Sequence, residues 1–72
     1  MRVLHVDMLL GNLIVEVEDA KDETRIGQNL RDNFGRVFHI KGISFPQHRL
    51  GTLKKFLFLS GPSTIGETVE II

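Results

Sequence analysis

The chain has no cysteine, no tryptophan and no tyrosine, and only two prolines among its 72 residues. Without cysteine there is no disulfide and no thiolate zinc site, and the redox compartment leaves no trace in the sequence. The histidines His5, His39 and His48 lack ligand spacings such as i, i+4, so they point to no metal site, and nothing implies a cofactor. No apolar run approaches the ~18 residues of a membrane-spanning helix. Arg2, His5 and Asp7 interrupt the N-terminal stretch, which therefore does not read as a signal peptide; a cytoplasmic, membrane-free protein is expected. An excess of one charge is missing as well, with nine basic and nine acidic residues. A hydrophobic content of 42% argues for a folded chain. The length allows one domain, residues 1–72. A chain of this size buries only about 60% of its unfolded surface. With disulfides and metals set aside, association with another chain is the remaining source of support.

The charges are unevenly placed. Residues 1–24 carry Asp7, Glu16, Glu18, Asp19, Asp22 and Glu23 against Arg2 and Lys21. Residues 25–55 carry Arg25, Arg31, Arg36, Lys41, Arg49, Lys54 and Lys55 against Asp32 alone. This basic stretch is a candidate for phosphate contact through Arg36, Lys41, Arg49, Lys54 and Lys55. The balanced total favours the plainer alternative, a solvated surface, because nucleic-acid domains are usually basic overall.

Gly and Asn divide the sequence into short runs rich in Val, Ile, Leu and Phe, which predicts strands. In Val3–Met8 the residues Leu4, Val6 and Met8 share one face and His5 and Asp7 the other. A turn at Leu9–Asn12 leads to the clearest period-two pattern, Leu13, Val15 and Val17 against Ile14, Glu16 and Glu18, and the two runs form a hairpin. Asp19–Glu23 reads as an exposed loop. Arg36–Lys41 alternates again. Gly42–Gly51 is the longest irregular stretch, with a short helix possible from Pro46. Phe56–Leu59 is too apolar for an exposed edge, and Glu67–Ile72 closes the sheet. Five or six short strands with glycine turns predict an all-β fold, a small barrel.

The chemistry on offer is thin. Gly61–Thr68 imitates the phosphate-binding pattern GxxxxGK[ST], but Glu67 stands where the pattern needs Lys, and a carboxylate there repels phosphate. Only four residues follow Thr68, too few for the helix such a loop requires. No serine is placed with a histidine and a carboxylate as a nucleophile would be. Glu16 and Glu18 share a strand face, which more often means a solvated face than acid–base work. A domain this small has little room for a cleft, and no enzymatic activity is expected. Of the five aromatic residues, Phe34, Phe38, Phe56 and Phe58 are expected in the core. Phe45, before Pro46, is either a buried plug or an exposed contact for a base or a protein.

In order and spacing the segments resemble the glycine–arginine-rich subunit of H/ACA ribonucleoproteins in its short archaeal form. The resemblance rests on Val3-Leu4-His5-Val6, Gly11-Asn12-Leu13-Ile14-Val15, Ile26-Gly27 with Leu30-Arg31-Asp32, Gly35-Arg36-Val37 and Ile65-Gly66-Glu67. The chain departs from the family at its Gly-Pro-Val loop, which here reads Gly42-Ile43-Ser44-Phe45-Pro46. The resemblance implies a six-stranded barrel of the translation-factor type. It further implies a non-catalytic accessory subunit that docks on a dyskerin-type pseudouridine synthase and assists loading and release of substrate RNA, which it touches indirectly or weakly. On this reading Gly42, Ile43, Phe45 and Pro46 form the partner contact, with Ile43 and Phe45 as apolar anchors. Two alternatives stand beside it. One is a stand-alone RNA-binding barrel using the basic segment. The other is a self-associating domain, a homodimer when alone, joined through Phe56–Leu59 or Ile71-Ile72.

Overall fold

The computed structural model describes residues 1–18, 24–44 and 54–72. Leu13, Val15 and Val17 alternate with half-buried neighbours along β2 (Asn12–Glu18), which follows β1 (Arg2–Leu9) across a two-residue turn. That turn is Leu10-Gly11, closed by the pair Leu9 and Asn12, and both of its residues have positive φ (51° and 80°). Two positive φ values identify the primed turn whose twist matches that of the strands, and Asn-Gly is the sequence that suits it best. Leucine at the first position is therefore strained, and its side chain is 92% exposed, so packing does not compensate. Leu10→Asn is expected to stabilise the domain by about 0.5–1 kcal/mol. A thermal melt checks this, and an unchanged or lower midpoint would show that the turn carries no strain.

The remaining strands are β3 (Asn29–Asp32), β4 (Val37–Ser44), β5 (Lys54–Ser60) and β6 (Val69–Ile71). All pair antiparallel in one sheet of order β1-β2-β5-β4-β3-β6. The apolar run Phe56–Leu59 lies in β5, between β2 and β4, which is why it carries no polar residues. It is not a sheet edge, so it offers no free backbone for the strand pairing considered above. The short helix entertained after Pro46 and the loop Asp19–Glu23 lie outside the described residues.

The core is one layer of inward side chains: Leu13, Val15 and Val17 from β2, Leu30 from β3, Phe38 and Ile40 from β4, Leu57 and Leu59 from β5, and Val69 from β6. Two register shifts bend the sheet around it, one at Leu4 in β1 and one at Lys41 in β4. An extra residue in one strand increases the local twist and curls the sheet. The curl does not complete the expected barrel. Among the described residues the edge strands meet at one end only, through the Arg2–Thr68 bridge and the bonds Val3 N–H to Glu67 O (2.8 Å) and Val69 N–H to Met1 O (2.9 Å). The physical reason is length. β6 has three residues, and among the described residues no bridge or backbone bond joins it to β1 beyond Val3.

Candidate functional site

The best-organised polar cluster sits where β3 turns into β4. Asp32 ends β3, and Asp32-Asn33-Phe34-Gly35 forms the turn, with Asp32 N–H donating to Arg36 O (2.9 Å) and Gly35 N–H to Asp32 O (3.1 Å). Gly35 has φ +83°, the left-handed position that a three-residue hairpin loop requires and that glycine adopts without strain. The Asp32 carboxylate is buried. Its Oδ1 accepts from Phe34 N–H (3.0 Å) and Arg36 N–H (2.8 Å), and its Oδ2 accepts from Gly66 N–H (2.8 Å). The Arg36 guanidinium stands 3.6 Å from Oδ2. Burial acts to raise the Asp32 pKa, but the amide bonds from Arg36, Gly66 and Phe34, together with the Arg36 charge, outweigh it and hold the carboxyl below its ordinary 3.8.

This carboxylate ties two distant loops together. Asn33 N–H donates to Thr68 O (3.0 Å), so the Ile65-Gly66-Glu67 turn lies flat against the β3–β4 turn. The approach is so close that a Cβ at Gly66 would strike the Asn33 side chain. The Gly61–Thr68 stretch is therefore occupied in docking to the β3–β4 turn, and it leads into β6 rather than into a helix.

The clamp presents one side chain outward. Phe34 is 68% exposed, against the expectation that it belongs to the core, and the Arg36 guanidinium lies 5.1 Å from its ring centroid. The reason is the turn itself. With Asp32 inward and its carboxylate receiving the amides of residues 34 and 36, the side chain at 34 is directed to solvent. Val37 beside it is exposed as well. Sequence reasoning did not single out Asp32 as a clamp, although an aspartate opening a turn with glycine three residues on is a recognised signal for side-chain-to-backbone bonding.

The other candidate residues are dispersed. Gly42 is half-buried, with the Phe58 ring packed against its backbone on the outer face, and Ile43 pairs with Leu57 and packs inward on the core rather than standing out as an anchor. Phe45, Pro46 and Arg49 lie outside the described residues. Among the phosphate candidates, Lys41 and Lys54 are exposed, Arg36 is engaged with Asp32 and Phe34, and Lys55 is buried, so it does not join a surface patch. The basic segment is further neutralised by the Arg31–Glu70 ion pair at 2.9 Å. His5 and His39 are exposed, bonded to Asp7 and Asn29 respectively. Among the described residues no group of three His, Asp or Glu side chains is placed to hold a metal ion, and no helix is long and apolar enough to cross a membrane. A depression of about 370 Å³ is lined by Met1, Arg31, Asp32, Asn33, Thr68, Val69 and Glu70, but Arg31 is already paired and Asp32 already saturated with donors.

No family model, no curated protein and no solved structure matches the chain.

Proposed function

We propose that this protein is a non-catalytic accessory domain that docks on another protein. Following the motif resemblance, we take the partner to be a pseudouridine synthase of the H/ACA type. The observation that carries the docking reading is Phe34. Aromatic rings are enriched at protein interfaces, and arginine is one of the residues that recur at their energetic centres. Here the ring is held by a turn whose backbone is fixed by Asp32, so little ordering entropy opposes binding. Val37 extends the apolar surface on one side. Ile43, turned inward, is replaced in this role by Phe34.

The test is calorimetric titration of the full chain against an H/ACA-type pseudouridine synthase at low and high salt. Tight binding that varies little with salt is expected, because apolar anchors rather than phosphate contacts supply it. Phe34→Asp should weaken it by at least about 30-fold, the loss of one interface hot spot, with the circular dichroism spectrum unchanged. No binding to the synthase at either salt would refute the partner assignment. Binding indifferent to Phe34→Asp would move the docking surface away from this turn. The stacked Phe34–Arg36 pair also suits a nucleobase. That second reading instead requires affinity for RNA that falls steeply with salt.

A further inference from the structure

The outer edge of β1 is a second surface, separate from the β3–β4 turn. β1 pairs with β2 at every residue but Leu4, and beyond Val3 no described strand pairs with its other side. In a two-residue hairpin the closing pair, Leu9 and Asn12, exchanges both backbone bonds, and the pairs alternate from there. The N–H and C=O groups of Met8 and Val6 therefore point away from β2, toward solvent. A strand edge of this length, unpaired and apolar, is a template for another strand.

Its side chains are correspondingly uncovered. Val6 pairs with Val15 and Met8 with Leu13, so both stand on the core face of the sheet, yet they are 41% and 55% exposed where the barrel fails to close. Leu4 at the bulge is also exposed. On the opposite face, His5 Nε2 lies 3.0 Å from Asp7 Oδ2, both side chains in solvent. The pattern Leu4-His5-Val6-Asp7-Met8 is self-complementary about Val6: apolar, polar, apolar, polar, apolar, with the base and the acid equidistant from the centre.

We propose that β1 pairs antiparallel with β1 of a second copy of this chain, about a two-fold axis passing through Val6. Directly opposed residues on antiparallel strands share a face, so a symmetric axis must fall on a residue and not between two. An axis at Asp7 would oppose two carboxylates, and an axis at His5 two imidazoles. An axis at Val6 opposes Val6 to Val6, sets Leu4 beside Met8 of the second copy, and puts His5 across from Asp7 of the second copy. The two imidazoles and two carboxylates then alternate around the axis on the outer face. The outward backbone groups of Val6 become a hydrogen-bonded pair, and the two sheets join into one of twelve strands, each subunit contributing six. The alternating apolar and imidazole–carboxylate pattern is what selects a second copy over an unrelated strand, since a foreign segment has no reason to match it. The Phe34 turn takes no part in this pairing.

Sedimentation equilibrium of the full chain over a range of concentrations tests the proposal without any synthase. A monomer–dimer equilibrium is expected. Val6→Lys, which places two ammonium groups at the axis, should weaken it at least about tenfold. His5→Asp should also weaken it, by opposing carboxylates, and His5→Asp combined with Asp7→His should restore it, because the inverted pattern is again self-complementary. The positions of these last two substitutions are on the solvent face, so they keep the proposal testable even where Val6→Lys impairs folding. Monomer mass at every concentration would overturn the proposal, as would a dimer insensitive to these changes. Phe34→Asp should leave the dimer unaffected while weakening synthase binding, so failure of either reading is visible separately.

Discussion

Phe38→Ala is expected to remove most of the stability of the isolated chain. Among the described residues Phe38 is the largest of the fully buried side chains; it stands at the start of β4, opposite Leu30 of β3, in the same core cluster as Ile40, Leu59 and Val69. Truncating a buried phenylalanine costs about 3–5 kcal/mol, the lost transfer energy plus the cavity left behind. The total available is small, about 0.05–0.15 kcal/mol per residue, which for a chain of this length is about 4–11 kcal/mol. The core is a single layer with an open edge, which places it at the low end of that range. The thermal midpoint should therefore fall by at least about 12 °C, with partial recovery when a docking partner is present. A fall of only a few degrees would mean that the core is not centred on this ring.

Asp32→Asn is the second large effect, and it acts through charge rather than volume. The carboxylate accepts three amide bonds and faces a guanidinium, with no access to water. The amide side chain is nearly isosteric but brings a donor into a site built only of donors, so at least one of these contacts turns repulsive. Loss of stability at neutral pH should exceed that from breaking the exposed Arg31–Glu70 pair, where about 0–1 kcal/mol is at stake. The pH dependence follows from the direction of the shift. The folded-state pKa is lowered, so the stabilisation is fully present above the unfolded value near 3.8 and is lost as pH falls from there through the lower folded-state value. Denaturant midpoints measured from neutral pH into that acid window should drop for the natural chain and drop less for Asp32→Asn. Parallel pH profiles for the two proteins would show that Asp32 does not link the two loops. Because the clamp sets the direction of Phe34, the same substitution should also weaken synthase binding more than its effect on folding explains.

Much of this architecture is legible in the residues, and the misreadings have identifiable causes. The alternation of β2, the turn at Leu10-Gly11 and the unbroken apolar run of β5 each carry a local signal that tertiary structure leaves intact. β3 does not. Asn29-Leu30-Arg31-Asp32 has one apolar residue in four and becomes a strand only because β4 and β6 supply partners on both sides. Strand number implies a closed barrel, but closure depends on the length of β6, and its three residues do not show as a pattern in the sequence. Phe34 and Lys55 are mirror cases. Each was assigned by residue type, the aromatic to the core and the cation to the surface, and each is reversed by strand parity and turn geometry. The free edge at β1 was hidden for a similar reason: Leu4, Val6 and Met8 have the spacing of a buried face, and only the strand order shows that nothing among the described residues covers it.

On the proposed function, the β3–β4 turn held by Asp32 is the surface that meets the protein partner. Amide chemical-shift mapping on the isotopically labelled full chain, recorded with and without an H/ACA-type pseudouridine synthase, tests it most directly. Perturbations centred on Phe34, Arg36 and Val37 are expected, spreading to Gly66 through the Asp32 clamp. Spectra unchanged by the synthase, or changes confined to residues remote from this turn, would contradict it.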